Sequence, residues 1–223
     1  EVVGFLGPNG AGKTTAIKIL TGFLAADSGS VRICGLDVET HPLEVKTKVG
    51  YLPENNPLYL DMRVGDYLAF AWKARGGEGA ASEALDRAVV QTGLQQVFHR
   101  FLGECSKGFR QRAGIAQALL HDPELLLLDE PTNGLDPLQV VEIRNLILEL
   151  GRTKTVLLTT HVLSEVEALA EKVVLIHEGR KVADGSLNSI AGGEGSLQVY
   201  LGIRGTEKHL RDLVAQAGGT WVS

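Results

Sequence analysis

The sequence predicts an α/β fold: a mostly parallel sheet, a helical subdomain inserted into it, and a small C-terminal α+β appendage. Three observations carry this. Short β-rich runs alternate with longer helical patterns near both ends of the main domain; between Pro53 and Leu120 the strand signal vanishes while helical patterning continues; and Gly192-Gly193-Glu194-Gly195 punctuates the chain before one more strand and one more helix. At 223 residues, with 44% hydrophobic and 22% charged side chains, composition is that of an ordinary globular protein. The expected division is a main domain over 1–191, with the insertion at about 56–118, and an appendage over 192–223.

Taken in order, Val2 to Leu6 reads as a core strand entered without any preceding turn, so a truncated N-terminus is expected. A helix is predicted over 13–24, then strands near 31–34 and 48–52. Helices follow over 64–75, 82–92 and 107–120, the first two separated by Gly76-Gly77-Glu78-Gly79. Strands near 124–128, 154–159 and 172–177 then alternate with helices over 137–150 and 162–170. Such βαβ alternation implies parallel pairing. The appendage is expected to hold a strand over 197–203 and a helix over 207–217.

The chain carries 27 acidic and 22 basic side chains, a formal charge of −5, which argues against nucleic acid as a partner. Cys34 and Cys105 lie far apart with no C-x-x-C spacing, so neither a metal site nor a disulfide framework follows, and a reducing, cytoplasmic location is the default. No run approaches the roughly 18 apolar residues of a membrane helix. Even Leu125-Leu126-Leu127-Leu128 stops at Asp129.

Gly7-Pro8-Asn9-Gly10-Ala11-Gly12-Lys13-Thr14, followed by Thr15, fits G-x-x-x-x-G-K-[ST] between a strand and a helix, the setting of a phosphate-binding loop and hence of a P-loop NTPase. Its backbone N–H groups close on phosphates, Lys13 reaches the β- and γ-phosphates, and the Thr14 hydroxyl is a hard ligand for Mg²⁺. A plain glycine turn would not call for Lys-Thr after the last glycine. The Leu125 to Leu128 run reads as a buried parallel strand, which explains the leucines but not Asp129 and Glu130 after them. Beside a phosphate loop, Asp129 can hold Mg²⁺ through water, and Glu130 can orient and deprotonate an attacking water.

The remaining motifs narrow the class. Cys105-Ser106-Lys107-Gly108-Phe109-Arg110-Gln111-Arg112 resembles a divergent LSGGQ signature of ATP-binding cassette (ABC) proteins, Gly134-Leu135-Asp136-Pro137 is similar to their D-loop, and His161 stands where their switch histidine belongs. Tyr51-Leu52-Pro53-Glu54 occupies the Q-loop position. The resemblance covers about Val2 to Gly185, and the stretches Pro53 to Tyr59 and Ser106 to Arg112 further resemble the ABC-2 exporter branch with its gliding-motility ATPases.

That resemblance implies ATP with Mg²⁺ held by Thr14, Asp129 and Glu54, and hydrolysis by Glu130, His161 and Lys13. It also implies a homodimer, or a pair of ABC ATPases, joined through the nucleotide face. Ser106, Lys107, Gly108 and Asp136 would complete the ATP site of the other chain. Separately encoded integral-membrane permease subunits would be driven from the cytoplasmic face of the membrane and would choose the cargo. Plainer readings stay open: Ser106 and Asp136-Pro137 as helix starts, and Glu54 as a contact to the membrane partner. For the whole chain the alternatives are a soluble ABC ATPase and a nucleotide-binding regulatory module.

Against the family pattern, Lys107 replaces a glycine, Phe109 a glutamine, and Glu54 a glutamine. The aromatic residue that stacks on adenine would lie upstream of Gly7, so it is not assignable here. The N-terminal antiparallel edge strands of the family are expected to be missing.

Overall fold

The computed structural model describes residues 1–77 and 81–191, and one compact unit spans Glu1–Ile190. The strand over 197–203 and the helix over 207–217 lie outside the described residues. The described elements are β1 (Val2–Leu6), α1 (Lys13–Leu20), β2 (Arg32–Ile33), β3 (Leu36–Asp37), α2 (Pro42–Lys48), β4 (Val49–Leu52), α3 (Val64–Ala74) and α4 (Ala81–Thr92). They continue as α5 (Lys107–Leu119), β5 (Leu125–Asp129), α6 (Pro137–Gly151), β6 (Thr155–Thr160), α7 (Leu163–Leu169), β7 (Lys172–His177), β8 (Arg180–Gly185) and α8 (Leu187–Ala191).

Six strands form the main sheet in the order β4-β5-β6-β1-β7-β8, parallel throughout except for the antiparallel β7–β8 pair. The leucine run shows why. Leu126 and Leu128 join the core that also takes in α3, α5 and α6, while Leu127 faces the opposite layer with Ile17, Ile33, Val38, Val45 and Val49. A strand covered on both faces needs apolar side chains at every position, each worth about 1.5–3 kcal/mol when buried. Between β4 and β5 the chain makes α3, α4 and α5, the expected helical insertion.

Two strands escape the sequence reading for one reason. The strand expected over 31–34 ends at Ile33, because Cys34 (φ 51) and Gly35 (φ 79) turn the chain back as the β2–β3 hairpin, apart from the main sheet. Glu178 (φ 47) and Gly179 (φ 73) do the same between β7 and β8. Two successive left-handed residues make the tight hairpin turn usually marked by Asn-Gly or Asp-Gly. Helix α1 stops at Leu20 rather than 24, since Gly22 is left-handed and Phe23 N donates to Lys18 O at 2.9 Å. The short α2, with Pro42 in its first turn and Lys46 and Lys48 in its last, was also not anticipated.

Register brings the chemistry together. Leu6 pairs with Thr160, and Asp129 with Thr159, so β1, β5 and β6 end at one rim of the sheet. The segments that follow, beginning with Gly7, Glu130 and His161, leave side by side, the position where open parallel sheets bind ligands.

Away from that rim, a histidine records burial. The Nε2 of His121 donates to Val49 O at 3.0 Å, and Arg75 Nη1 lies 3.3 Å from its ring nitrogens. Burial, reinforced by the Arg75 charge, depresses its pKa to about 4. An unfolded histidine titrates near ~6.5. Between those values the unfolded chain binds a proton that the folded chain refuses, so stability should fall as pH drops through that window. Thermal midpoints of the parent and His121→Gln should converge as pH falls from about 6.5 to about 4. Parallel curves would contradict the burial argument.

Candidate functional site

The loop after β1 is shaped for phosphate. Gly10 (φ 81) and Gly12 (φ 100) adopt left-handed backbone before α1, and a side chain at Gly7 would strike Ile176 O at 2.5 Å, so the loop packs directly on β7. Asn9, Gly10, Gly12, Lys13, Thr14 and Thr15 line a cavity of about 490 Å³ together with Glu54, Glu130, Asn133 and His161. Pro8 and Ala11 belong to the same loop, closed by Ala11 N donating to Pro8 O at 3.1 Å.

Lys13 is 6% exposed, and its ammonium donates to Gly7 O at 2.8 Å and Pro8 O at 3.3 Å while lying 3.5 Å from Glu130 Oε1. The Glu130 carboxylate also meets His161 Nδ1, at 3.1 Å from Oε1 and 3.0 Å from Oε2. Glu130 is thus held between a cation and an imidazole at the cavity wall. Its backbone is left-handed (φ 49), an arrangement costing about 1–3 kcal/mol for a residue with a Cβ and characteristic of functional sites. Glu130 N donates to Thr159 O at 3.2 Å and Thr159 Oγ1 at 3.0 Å, which holds that turn.

Asp129 is 1% exposed; Thr159 Oγ1 donates to its Oδ1 at 2.5 Å, while its Oδ2 is buried without a hydrogen-bond partner among the described residues. An orphaned carboxylate oxygen beside a phosphate loop fits a water on a divalent cation. Glu54 is exposed, its Oε1 accepting from Asn133 Nδ2 at 3.2 Å, and it lines the cavity with Thr14. No group of three His, Cys, Asp or Glu side chains able to hold a metal is present among the described residues. The donor set is therefore one hydroxyl and two separated carboxylates, which fits Mg²⁺ carried in with phosphate oxygens and water rather than an all-protein cage.

The signature residues stand apart from this cavity. Ser106 caps α5, its Oγ accepting from Phe109 N at 3.3 Å, and Asp136 caps α6, its Oδ1 accepting from Gln139 N at 3.0 Å. Both side chains are exposed, so capping leaves them accessible; Gly108 is buried behind them. Lys107 extends over Gly134 and lines a neighbouring cavity that also reaches Glu54, Glu130 and Asn133.

Sequence reasoning missed Thr159, Asn133 and the buried acid Glu165. The signal for Thr159 was present, since two hydroxyls ending an otherwise apolar central strand need partners.

The chain matches the family described as ABC transporter over residues 1–133. It is 40% identical over 182 residues to a bacitracin transport ATP-binding protein of Bacillus licheniformis, covering 81% of this chain and 59% of that protein. With a Nod factor export ATP-binding protein I of Burkholderia lata the identity is 37% over 196 residues, covering 85% of this chain and 63% of the relative. The chain spans about 60% of the length of such curated relatives. The solved structure of cbiO1 from Clostridium perfringens, part of the ABC transporter complex cbiONQ, superposes with a TM-score of 0.77 at 26% identity, over 97% of this chain and 83% of that one. The family match takes in the loop after β1 and more than half of the chain, and the chain belongs to the ABC transporter family.

Proposed function

We propose that the chain hydrolyses ATP to drive export through separately encoded membrane subunits, working as a head-to-tail pair on the cytoplasmic face of the membrane. The observation that carries the chemistry is Glu130, held between Lys13 and His161 at the wall of the phosphate cavity. With ATP in place, Lys13 would exchange Glu130 for the β- and γ-phosphates, freeing the carboxylate to accept a proton from the attacking water. His161 would then orient Glu130 and meet the γ-phosphate. Thr14, Asp129 and Glu54 would hold Mg²⁺, which would supply neutralisation of charge on the phosphoryl oxygens.

The exposed caps Ser106 and Asp136 support a composite site. The Ser106 hydroxyl, the N-terminus of α5 and Lys107 would receive an anion presented by a second chain, while the Asp136 carboxylate would accept from donors of that chain. Export is supported by the transport and export names of the relatives.

A membrane subunit suits the groove of about 850 Å³ beside Tyr51 and Val49, rimmed by Phe23 at 81% and Leu43 at 76% exposure. Large apolar side chains left this open mark an interaction surface. No helix among the described residues is long and apolar enough to cross a membrane, so the membrane path would lie in the partner. The test is Mg²⁺-dependent phosphate release by the full-length protein, together with its co-purification with a membrane protein. Absence of phosphate release in the presence of that partner would refute the reading.

Glu54 would tune the metal rather than perform the chemical step. Glu54→Gln should therefore keep hydrolysis within about tenfold, under ~1.4 kcal/mol, while its Mg²⁺ dependence shifts. Complete loss of turnover at unchanged Mg²⁺ dependence would make Glu54 a second general base.

A further inference from the structure

Glu165, on α7, is 6% exposed and does not line the phosphate cavity. Both of its carboxylate oxygens are nevertheless engaged by hydroxyls: Thr132 Oγ1 donates to Oε1, and Thr160 Oγ1 donates to Oε2 at 2.6 Å. The Thr160 hydroxyl also accepts from Val162 N at 3.1 Å, and Thr160 O accepts from Gly7 N at 3.3 Å. Thr132 follows Glu130 and precedes Asp136, and Thr160 immediately precedes His161. One buried carboxylate therefore ties the segment after β5 to the segment after β6, at the point where the latter also touches the phosphate loop.

We propose that Glu165 is a positioning residue that holds the 130–136 segment in register with His161. The inference rests on the ATPase reading above. Each hydroxyl has a single proton and directs it at Glu165, so each fixes a rotamer and a segment position at once. The Thr132–Glu165 link lies two residues beyond Glu130 and so bears on where its carboxylate stands, whereas Lys13 and the N–H groups of the phosphate loop would hold the nucleotide without help from Thr132. Disturbing the Thr132 link should consequently affect turnover and spare binding. A displacement of about 1 Å at a catalytic group can lower a rate about 100-fold.

The variant of choice is Thr132→Val in the full-length protein, because it keeps shape and removes only the hydroxyl. Its kcat should fall about 10- to 100-fold while the dissociation constant for ATP stays within about twofold. Thr132→Ser, which returns the hydroxyl, should recover most of the rate. Thr132→Val combined with Glu165→Gln should be no slower than the slower single variant, since both break one link. A parental kcat in folded Thr132→Val, an equal loss in Thr132→Ser, or a parallel loss of ATP affinity would overturn the assignment. Should the parent release no phosphate at all, the ATPase reading fails instead, and the His161 ring resonances then decide the positioning role. Resonances moved by Thr132→Val support it, and unmoved ones overturn it.

Discussion

Glu130→Gln should bind ATP as the parent does and turn it over 10²- to 10⁴-fold more slowly, a loss of about 3–5 kcal/mol of transition-state stabilisation. The substitution keeps the size of the side chain, and its amide oxygen can still accept from His161 Nδ1. Lys13 retains the carbonyls of Gly7 and Pro8 as partners, so the loop keeps its shape without the Glu130 charge. What disappears is the ability to take a proton from water. If the site is composite, uncleaved ATP should hold Ser106 of one chain against the γ-phosphate bound by another. Light scattering should then find dimers with ATP and monomers with ADP, and a second change, Ser106→Arg, should abolish the dimer by obstruction. Hydrolysis at the parental rate, or monomers with ATP bound in the presence of the membrane partner, would refute the mechanism.

Lys13→Ala should cost the chain tight ATP binding. Its ammonium is the one cation lining the phosphate cavity among the described residues, and a buried charge-assisted contact of this kind is worth about 2–5 kcal/mol, or roughly 30- to 5,000-fold in affinity. The variant also removes the cation facing Glu130, so the double variant Lys13→Ala with Glu130→Gln serves as the control that leaves no unpaired carboxylate. Calorimetry should detect weak binding in both. Unchanged affinity would mean that the loop does not hold the phosphates.

The legible parts of this chain were those governed by repeating side-chain patterns or by local motifs. The phosphate loop announces itself because glycine spacing and Lys-Thr are backbone requirements written in consecutive residues. The leucines of β5 reveal a strand buried on both faces, and the acids at its end follow from adjacency alone. What escaped notice depended on turns and on distance. Cys34-Gly35 and Glu178-Gly179 form tight hairpin turns although Cys and Glu are not the residues that favour left-handed backbone, so β3 and β8 gave no conventional signal. The charged β8, with Arg180, Lys181 and Asp184, reads as solvent-facing loop until it is seen paired to β7 at the edge of the sheet. Glu165 looks like one more acid on an exposed helix, because the threonines that bury its charge come from other segments. The pairing of Glu130 with both Lys13 and His161 was likewise hidden, since only strand register brings the three together.

That register also sets an order of events at the ribosome. β1 is synthesised well before both strands that flank it in the sheet, with Val2 opposite Val156 on one side and Val3 opposite Lys172 on the other. Translation at about 5–20 residues per second leaves its backbone donors and acceptors without their native partners for on the order of ten seconds. Pairings so distant along the chain are also slow to form once both strands exist. The phosphate loop shares the delay, because Gly7 N finds its acceptor only on Thr160. A nucleotide site that needs this contact is therefore completed only after β6 has emerged, although the motif that marks it is written near the start of this sequence.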